Sequence, residues 1–149
     1  MSGRYAENRK AHFDYEILET FTAGIELFGF EVKAVRARHM SLDGAYAIVR
    51  GGEAFLVGAG ITPLQPKNTP ESYDERRNRK LLLTKKELSR LAEHESKAGL
   101  TIVALSVYNK GSKVKVDLGI ARGKKRYDKR ESTQKRETDR TIRRTLKNK

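Results

Sequence analysis

The chain has 149 residues, no cysteine, and 32 basic against 19 acidic residues, which give it a net charge of +13 at pH 7. This length suits a single domain with a modest core, and the lack of cysteine excludes disulfides and thiolate metal sites. The longest apolar run is too short to span a membrane, and the N-terminal residues lack the apolar core of a secretory signal. We therefore expect a cytoplasmic protein with no membrane partner.

The positive charge is concentrated at the C-terminus. Residues 122–149 carry thirteen basic and four acidic side chains, and their only larger apolar residues are Tyr127, Ile142 and Leu146. So little apolar surface cannot offset the roughly 1–2 kcal/mol per residue that ordering the backbone costs. The sequence predicts a domain in residues 1–121 and a basic tail in 122–149 that is disordered when free. A tail of this charge is expected to bind phosphate backbones, the alternative being a solvated tail that only aids solubility.

The first predicted elements are a strand and a short helix. Phe13, Tyr15 and Ile17 alternate with polar residues up to Glu19, and this period of two predicts a half-buried strand. In residues 27–38, apolar side chains recur three and four positions apart. This spacing favours a short helix, although the β-branched content of the segment would also suit a strand.

A hairpin and a long loop follow. Residues 45–50 and 53–58 are two short apolar segments joined by Gly51 and Gly52, whose tolerance of positive φ angles suits a tight turn. Three prolines then interrupt a polar stretch over residues 63–78. This composition predicts a long loop across the surface.

The remainder of the predicted domain combines one helix with a second hairpin. Thr84 and Glu87 have capping-box spacing, which predicts a helix over residues 85–98. Segments 101–108 and 113–121 are rich in Val, Ile and Leu and predict the hairpin. Short strands in hairpins with few helices predict a mostly β fold with flanking helices, a small antiparallel barrel of the oligonucleotide-binding type.

The sequence contains no recognisable catalytic or metal-binding motif. Three histidines, at positions 12, 39 and 94, lack the spacing of metal ligands. Carboxylates at Asp14, Glu16 and Glu19 could serve a nuclease, but such alternation more often marks the solvated face of a sheet. We therefore expect a binding protein, not an enzyme, with no catalytic residue, metal or cofactor.

Basic residues are instead interleaved with aromatic and apolar ones, as is typical of RNA-binding proteins. Cations hold the backbone while planar rings stack on unpaired bases, each stack being worth roughly 1–3 kcal/mol. For Phe13, Phe28 and Phe55 we expect core packing. Tyr127 has no core around it and is the candidate for stacking.

Four blocks of sequence resemble the SsrA-binding protein (small protein B) family of bacteria. They are Asn-Arg-Lys-Ala at 8–11, Ala-Gly-Ile-x-Leu-x-Gly-x-Glu-Val-Lys at 23–33, Arg-Lys-Leu-Leu-Leu at 79–83 and Gly-Lys-Lys-x-Tyr-Asp-Lys-Arg at 123–130. The resemblance implies an oligonucleotide-binding-type barrel with flanking helices. It also implies binding to the tRNA-like domain of transfer-messenger RNA, and delivery of that RNA to stalled ribosomes for trans-translation.

The resemblance implies two sets of site residues. The RNA-binding face comprises residues of the first and third blocks, Lys33 of the second block and Arg36 just beyond it, with Asn8 and Leu82 as surface residues. The full set is Asn8, Arg9, Lys10, Lys33, Arg36, Arg79, Lys80 and Leu82. The tail enters the mRNA channel of the ribosome and becomes partly helical there. Its binding residues are a block near the decoding centre and a short apolar seam: Lys124, Lys125, Tyr127, Asp128, Lys129, Arg130, Ile142 and Leu146.

The chain departs from the family pattern at three places. Thr22 stands where the family usually has Glu, Ala34 where Ser is common, and Arg38-His39 where a Gly-containing turn is commoner. These departures concern RNA contacts at positions 22 and 34 and leave the family resemblance unchanged. Two other readings remain open: a ribosomal or ribosome-assembly protein with a basic arm, and a single-strand nucleic-acid chaperone.

Overall fold

The structure, a computed structural model, describes residues 4–123 of the chain. This range contains one 3₁₀ turn, at Pro66–Asn68, and three α-helices: α1 (Arg9–Asp14), α2 (Gly29–Arg36) and α3 (Lys85–Glu95). It also contains nine strands: β1 (Arg4–Glu7), β2 (Tyr15–Ile25), β3 (Met40–Ser41), β4 (Tyr46–Arg50), β5 (Glu53–Val57), β6 (Gly60–Ile61), β7 (Arg79–Leu82), β8 (Leu100–Lys110) and β9 (Lys113–Gly123).

Six strands form a closed circuit of hydrogen-bonded neighbours, in the order β8, β4, β5, β7, β2, β9 and back to β8. Every one of these pairings is antiparallel. Strand β1 continues along the edge of β8 beyond β4, and β3 pairs with β6 in a separate two-stranded sheet. The predicted mostly β, antiparallel fold with flanking helices is confirmed, and the closed pairing order has the connectivity of a small barrel.

Both predicted hairpins are present. Gly51 and Gly52 join β4 to β5 with φ angles of 60° and 76°, a left-handed backbone that glycine adopts without steric cost. The second hairpin joins two strands of eleven residues each, which are longer than predicted. Its link is therefore only Gly111 and Ser112, shorter than the interval 109–112 between the two predicted segments.

The helices refine the predictions. Residues 9–14 form α1, so Phe13 is helical and the alternating strand begins only at Tyr15. Segment 29–36 is a helix, which decides between the helix and strand alternatives. The capping box of α3 is formed as predicted: Glu87 N donates to Thr84 Oγ1 at 3.2 Å, and Thr84 N donates to Glu87 Oε1 at 3.0 Å. No helix within the described range is long and apolar enough to cross a membrane.

Buried apolar residues fill the inside of the strand circuit, and helices α2 and α3 add Val35 and Leu91 to this core. A second, smaller cluster lies between α1 and the outer face of β8 and β9, where Leu105 and Ala121 are buried. Of the aromatics expected in the core, Phe28 is 52% exposed, so that expectation is wrong. Its position before the first turn of α2 leaves the ring outside the packed layer.

Candidate nucleic-acid interface

Strand β7 carries the basic-leucine block, and its side chains alternate between the two faces of the sheet. Arg79 and Leu81 are buried, whereas Lys80 is half-buried and Leu82 is 48% exposed. Adjacent residues of a strand point to opposite faces, so Arg79 and Lys80 cannot both face an RNA. The expectation that Leu82 lies on the surface is met, but Arg79 is buried and is not exposed beside it.

Arg79 is used entirely inside the protein. Its Nε donates to Glu31 Oε2 at 2.9 Å, and its other nitrogens donate to Tyr73 Oη and to three backbone carbonyl oxygens. Both Arg79 and Glu31 are fully buried. A buried ion pair is tolerated only when its remaining donors and acceptors are also satisfied, and this one meets that condition.

Glu31 is the centre of the buried network. Besides Arg79, its carboxylate accepts hydrogen bonds from the Phe28 N–H, from Tyr73 Oη and from Arg77. Burial by itself raises the pKa of Glu31, but the hydrogen bonds, that of Arg77 foremost, outweigh burial and lower the pKa from 4.5 to about 2. Burial and the bond to Glu31 raise the pKa of Tyr73 to about 12. Glu31 is therefore held as a carboxylate.

The network fixes an aromatic group on the surface that sequence reasoning missed. The Arg77 guanidinium lies 4.2 Å from the centre of the exposed Phe28 ring. Phe28 stacks on Phe30 with centroids 5.6 Å apart, and Phe30 meets Tyr73 edge-on at 4.8 Å. The sequence offered one signal for this arrangement. Glu31 lies three residues after Phe28, the N-cap of α2, which is the spacing at which a glutamate accepts from the N-cap N–H.

Asn8 is buried, so the prediction that it is a surface residue is wrong. It is the N-cap of α1, with its Oδ1 accepting from Ala11 N at 3.2 Å. Its Nδ2 donates to Ala104 O at 3.0 Å and its backbone N–H donates to Leu105 O at 2.8 Å. Asn8 therefore anchors α1 to β8, and its amide group is occupied by protein partners.

A row of outward-facing residues crosses the sheet beside Leu82. Gly24 of β2 pairs with Leu82 on one side and with Lys115 of β9 on the other, and Lys115 pairs in turn with Tyr108. Directly paired residues lie on the same face of a sheet. A Cβ on Gly24 would be 3.2 Å from Leu82 Cβ, so glycine allows the leucine to lie across the strand.

Helix α2 adds cations at the same end of the sheet. Lys33 and Arg36 are exposed, and Arg36 NH2 donates to Ser112 O at 3.2 Å in the turn that precedes Lys115. Lys80, also facing outward, is paired with Glu53 at 3.1 Å, which raises the pKa of the Lys80 amine. The predicted residues Lys33, Arg36 and Leu82 therefore lie at one end of β2.

Arg9 and Lys10 lie at the other end. Both are exposed on α1. Arg9 Nε lies 3.8 Å from Glu7 Oε2, and the Arg9 side chain is 90% exposed. Helix α1 leads directly into Tyr15, and nine residue steps of β2 separate Tyr15 from Gly24, a path of about 30 Å along the strand. The fold therefore divides the predicted RNA-binding residues between the two ends of β2.

Comparison with known proteins identifies the family of this chain. A model of the SmpB protein family matches residues 5–148. The chain belongs to the SmpB family. An SsrA-binding protein of Gloeobacter violaceus is 49% identical over 95% of this chain and 92% of its own length. One from Ligilactobacillus salivarius is 50% identical over 96% and 92%.

A solved structure also resembles this SmpB family member. It comes from work on tmRNA-SmpB and the center of the bacterial ribosome, is 46% identical, and covers 85% of this chain and 92% of its own with a TM-score of 0.67. Among residues 4–123, no group of three His, Cys, Asp or Glu side chains could hold a metal ion.

The three departures from the SmpB pattern have definite places in the structure. Thr22 is exposed and its hydroxyl donates to Asp117 Oδ1 at 3.1 Å. Ala34 is fully buried in α2. Arg38 has φ of 67°, so it takes the left-handed conformation for which glycine is better suited, at the end of α2.

The SmpB family match includes most of the basic tail, but residues 124–149 lie outside the described residues. The predicted tail residues are among them: Lys124, Lys125, Tyr127, Asp128, Lys129, Arg130, Ile142 and Leu146. The last described residue before them is Gly123, which pairs with Tyr15. The tail therefore leaves the domain at the α1 end of β2.

Proposed function

We propose that this protein binds the tRNA-like domain of transfer-messenger RNA and delivers that RNA to stalled ribosomes for trans-translation. The observation that carries the proposal is membership of the SmpB family, with relatives named SsrA-binding protein that match about 95% of the chain. The protein acts as an RNA-binding partner and catalyses no reaction of its own.

The described surface supports a division of labour within the RNA-binding face. Lys33, Arg36 and Lys80 supply cations at one end of β2, and the exposed Leu82 offers an apolar contact between them. Cations of this kind give affinity by releasing counterions from phosphates, while apolar and aromatic groups contact unstacked bases. Arg9 and Lys10 form a second cationic contact at the other end.

Asn8 and Arg79 support RNA binding indirectly in this proposal. Asn8 holds α1, and with it Arg9 and Lys10, against β8 through the bond to Ala104 O. Arg79 holds Glu31, and therefore the start of α2, through the buried ion pair. Both positions matter for RNA binding because they place the residues that contact it.

The proposal assigns the tail to the ribosome. The folded domain, which ends with β9 at Gly123, binds the RNA. The tail beyond it enters the mRNA channel, with the 124–130 block near the decoding centre. Ile142 and Leu146 are four positions apart, which places them on one face of a helix once phosphates neutralise the neighbouring arginines.

Competition in a gel-shift assay tests the proposal. Labelled tRNA-like domain of transfer-messenger RNA is bound to the full-length protein and displaced with unlabelled elongator tRNA, at one fixed salt concentration. We expect the elongator tRNA to compete at least tenfold more weakly than the unlabelled tRNA-like domain. Equal competition by both RNAs would instead favour a ribosomal protein with a basic arm or a single-strand chaperone.

A further inference from the structure

Asp117 is a carboxylate on the outer face of β9, in the middle of three neighbouring strands. Its direct partners are Thr22 on β2 and Ser106 on β8. Thr22 Oγ1 donates to Asp117 Oδ1 at 3.1 Å, Tyr108 Oη donates to the same oxygen at 3.0 Å, and Ser106 Oγ donates to Oδ2 at 3.3 Å. Three hydroxyls from two strands therefore fix the orientation of this one carboxylate.

The carboxylate keeps capacity for another partner. A carboxylate offers about four lone-pair positions, and these hydroxyls occupy three of them, two on Oδ1 and one on Oδ2. Asp117 is half-buried and Thr22 beside it is exposed, so the group can be reached from solvent. The remaining position on Oδ2 can accept one further hydrogen bond.

The place of this carboxylate determines what it can accept. Lys115 lies on the same face of β9, two residues before Asp117. It pairs with Gly24, which also pairs with Leu82. Asp117 is thus next to the surface to which RNA binding is assigned. A carboxylate repels phosphate, so a carboxylate within a cationic RNA-binding surface contacts a hydrogen-bond donor of the RNA instead.

We propose that Asp117 is a specificity-determining residue, which accepts a hydrogen bond from a base N–H group or a ribose 2′-hydroxyl of the bound RNA. The inference rests on the proposed binding of transfer-messenger RNA. Thr22 stands where the family usually has Glu, and the direct cross-strand partner of Thr22 in this chain is Asp117. A carboxylate therefore lies directly across from position 22, on the same patch of surface.

Two variants, one single and one double, separate recognition of RNA from packing of the protein. Asp117→Asn keeps the size of the side chain and removes its charge. The double variant Thr22→Glu with Asp117→Thr moves the carboxylate from β9 to β2. Glu93→Gln, on the exposed side of α3, is the control for the loss of one negative charge.

Affinities for the tRNA-like domain, for elongator tRNA and for a single-stranded homopolymer are measured at fixed salt, with melting temperatures recorded for each variant. For Asp117→Asn we expect preference for the tRNA-like domain over elongator tRNA to fall about tenfold, the effect of one charge-assisted hydrogen bond. Homopolymer binding should stay equal or become tighter, because a negative charge is removed. The double variant should regain most of the preference, and Glu93→Gln should keep all of it.

The donor on the RNA is identified with modified tRNA-like domains. Replacing guanines by inosine removes the guanine 2-amino donor, and 2′-deoxy substitution removes hydroxyl donors. If Asp117 meets the 2-amino group of a guanine, inosine will cost wild type its preference and leave Asp117→Asn unaffected. If it meets a ribose, 2′-deoxy substitution will do so, and if neither change matters the donor is another base N–H group.

The outcomes divide the two proposals. If wild type shows no preference for the tRNA-like domain, the proposed function fails and this role fails with it. If wild type and Asp117→Asn show the same preference, only the role of Asp117 is overturned. If Asp117→Asn melts lower and loses preference, the double variant decides: restored preference supports recognition, and continued loss shows that Asp117 serves packing.

Discussion

At the scale of single residues, the buried pair of Glu31 and Arg79 carries a chemical consequence. Glu31 has a pKa near 2 in the folded protein against 4.5 for an ordinary glutamate. A carboxyl whose pKa is depressed on folding adds stability that is fully present above pH 4.5. That stability is lost as the pH falls through about 2.

This predicts the behaviour of Glu31→Gln. At pH 7 the variant should unfold more easily than wild type, because Arg79 loses its charge partner inside the protein. The difference in unfolding free energy should shrink as the pH is lowered from about 4.5 to about 2. Urea denaturation of both proteins at several pH values measures it, with Glu93→Gln as an exposed control. A difference that is independent of pH would mean that Glu31 is not held as a carboxylate.

At the scale of elements, strand β7 places alternate residues on opposite faces of the sheet. Arg79 and Leu81 pack inward while Lys80 and Leu82 face outward. The outward face carries the proposed RNA contacts, and the inward face carries stability. The two functions of β7 can therefore be separated by mutation, because its two faces have different neighbours.

Arg79→Ala and Leu82→Ala test this separation. Arg79→Ala should lower the free energy of unfolding by roughly 3–5 kcal/mol, since it leaves Glu31 charged and buried without this partner. Leu82→Ala should change stability by about half a kcal/mol or less and should weaken RNA binding. Chemical denaturation and gel-shift titration are run on both. If Leu82→Ala lost the roughly 2–5 kcal/mol typical of an emptied core site, its role would be packing.

At the scale of the whole molecule, most of the net positive charge lies beyond the described fold. The fold includes β9 up to Gly123, whereas the excess charge begins at Arg122. A chain that ends after Gly123 keeps the pairing of that residue with Tyr15. The two proposed activities can therefore be separated by truncation.

Deleting residues 124–149 should leave binding of the tRNA-like domain nearly intact, because the proposed contact residues on α1, α2 and β7 remain. The same deletion should abolish tagging of peptides on stalled ribosomes. Gel-shift titration and an in vitro tagging assay measure the two activities on one preparation. A truncated protein that no longer binds the RNA would contradict the division.

Local features were predictable from the sequence because each depends on a few neighbouring residues. The capping box of Thr84 and Glu87 and the turn at Gly51 and Gly52 form as their spacing indicates. The charge distribution was equally readable, and the four sequence blocks identified the family. Antiparallel β structure followed from the apolar segments and their short links.

The tertiary structure alone decided which side chains of those blocks face outward. Arg-Lys-Leu-Leu specifies a strand, but the side on which the core lies is set by pairing with β2 and β5, so Arg79 could not be placed inside from its own neighbours. Asn8 is buried because its amide reaches Ala104, 96 residues away. Asp117 likewise meets Thr22 only through the register of β2 with β9. These outcomes depend on contacts between distant segments, and the local sequence does not encode such contacts.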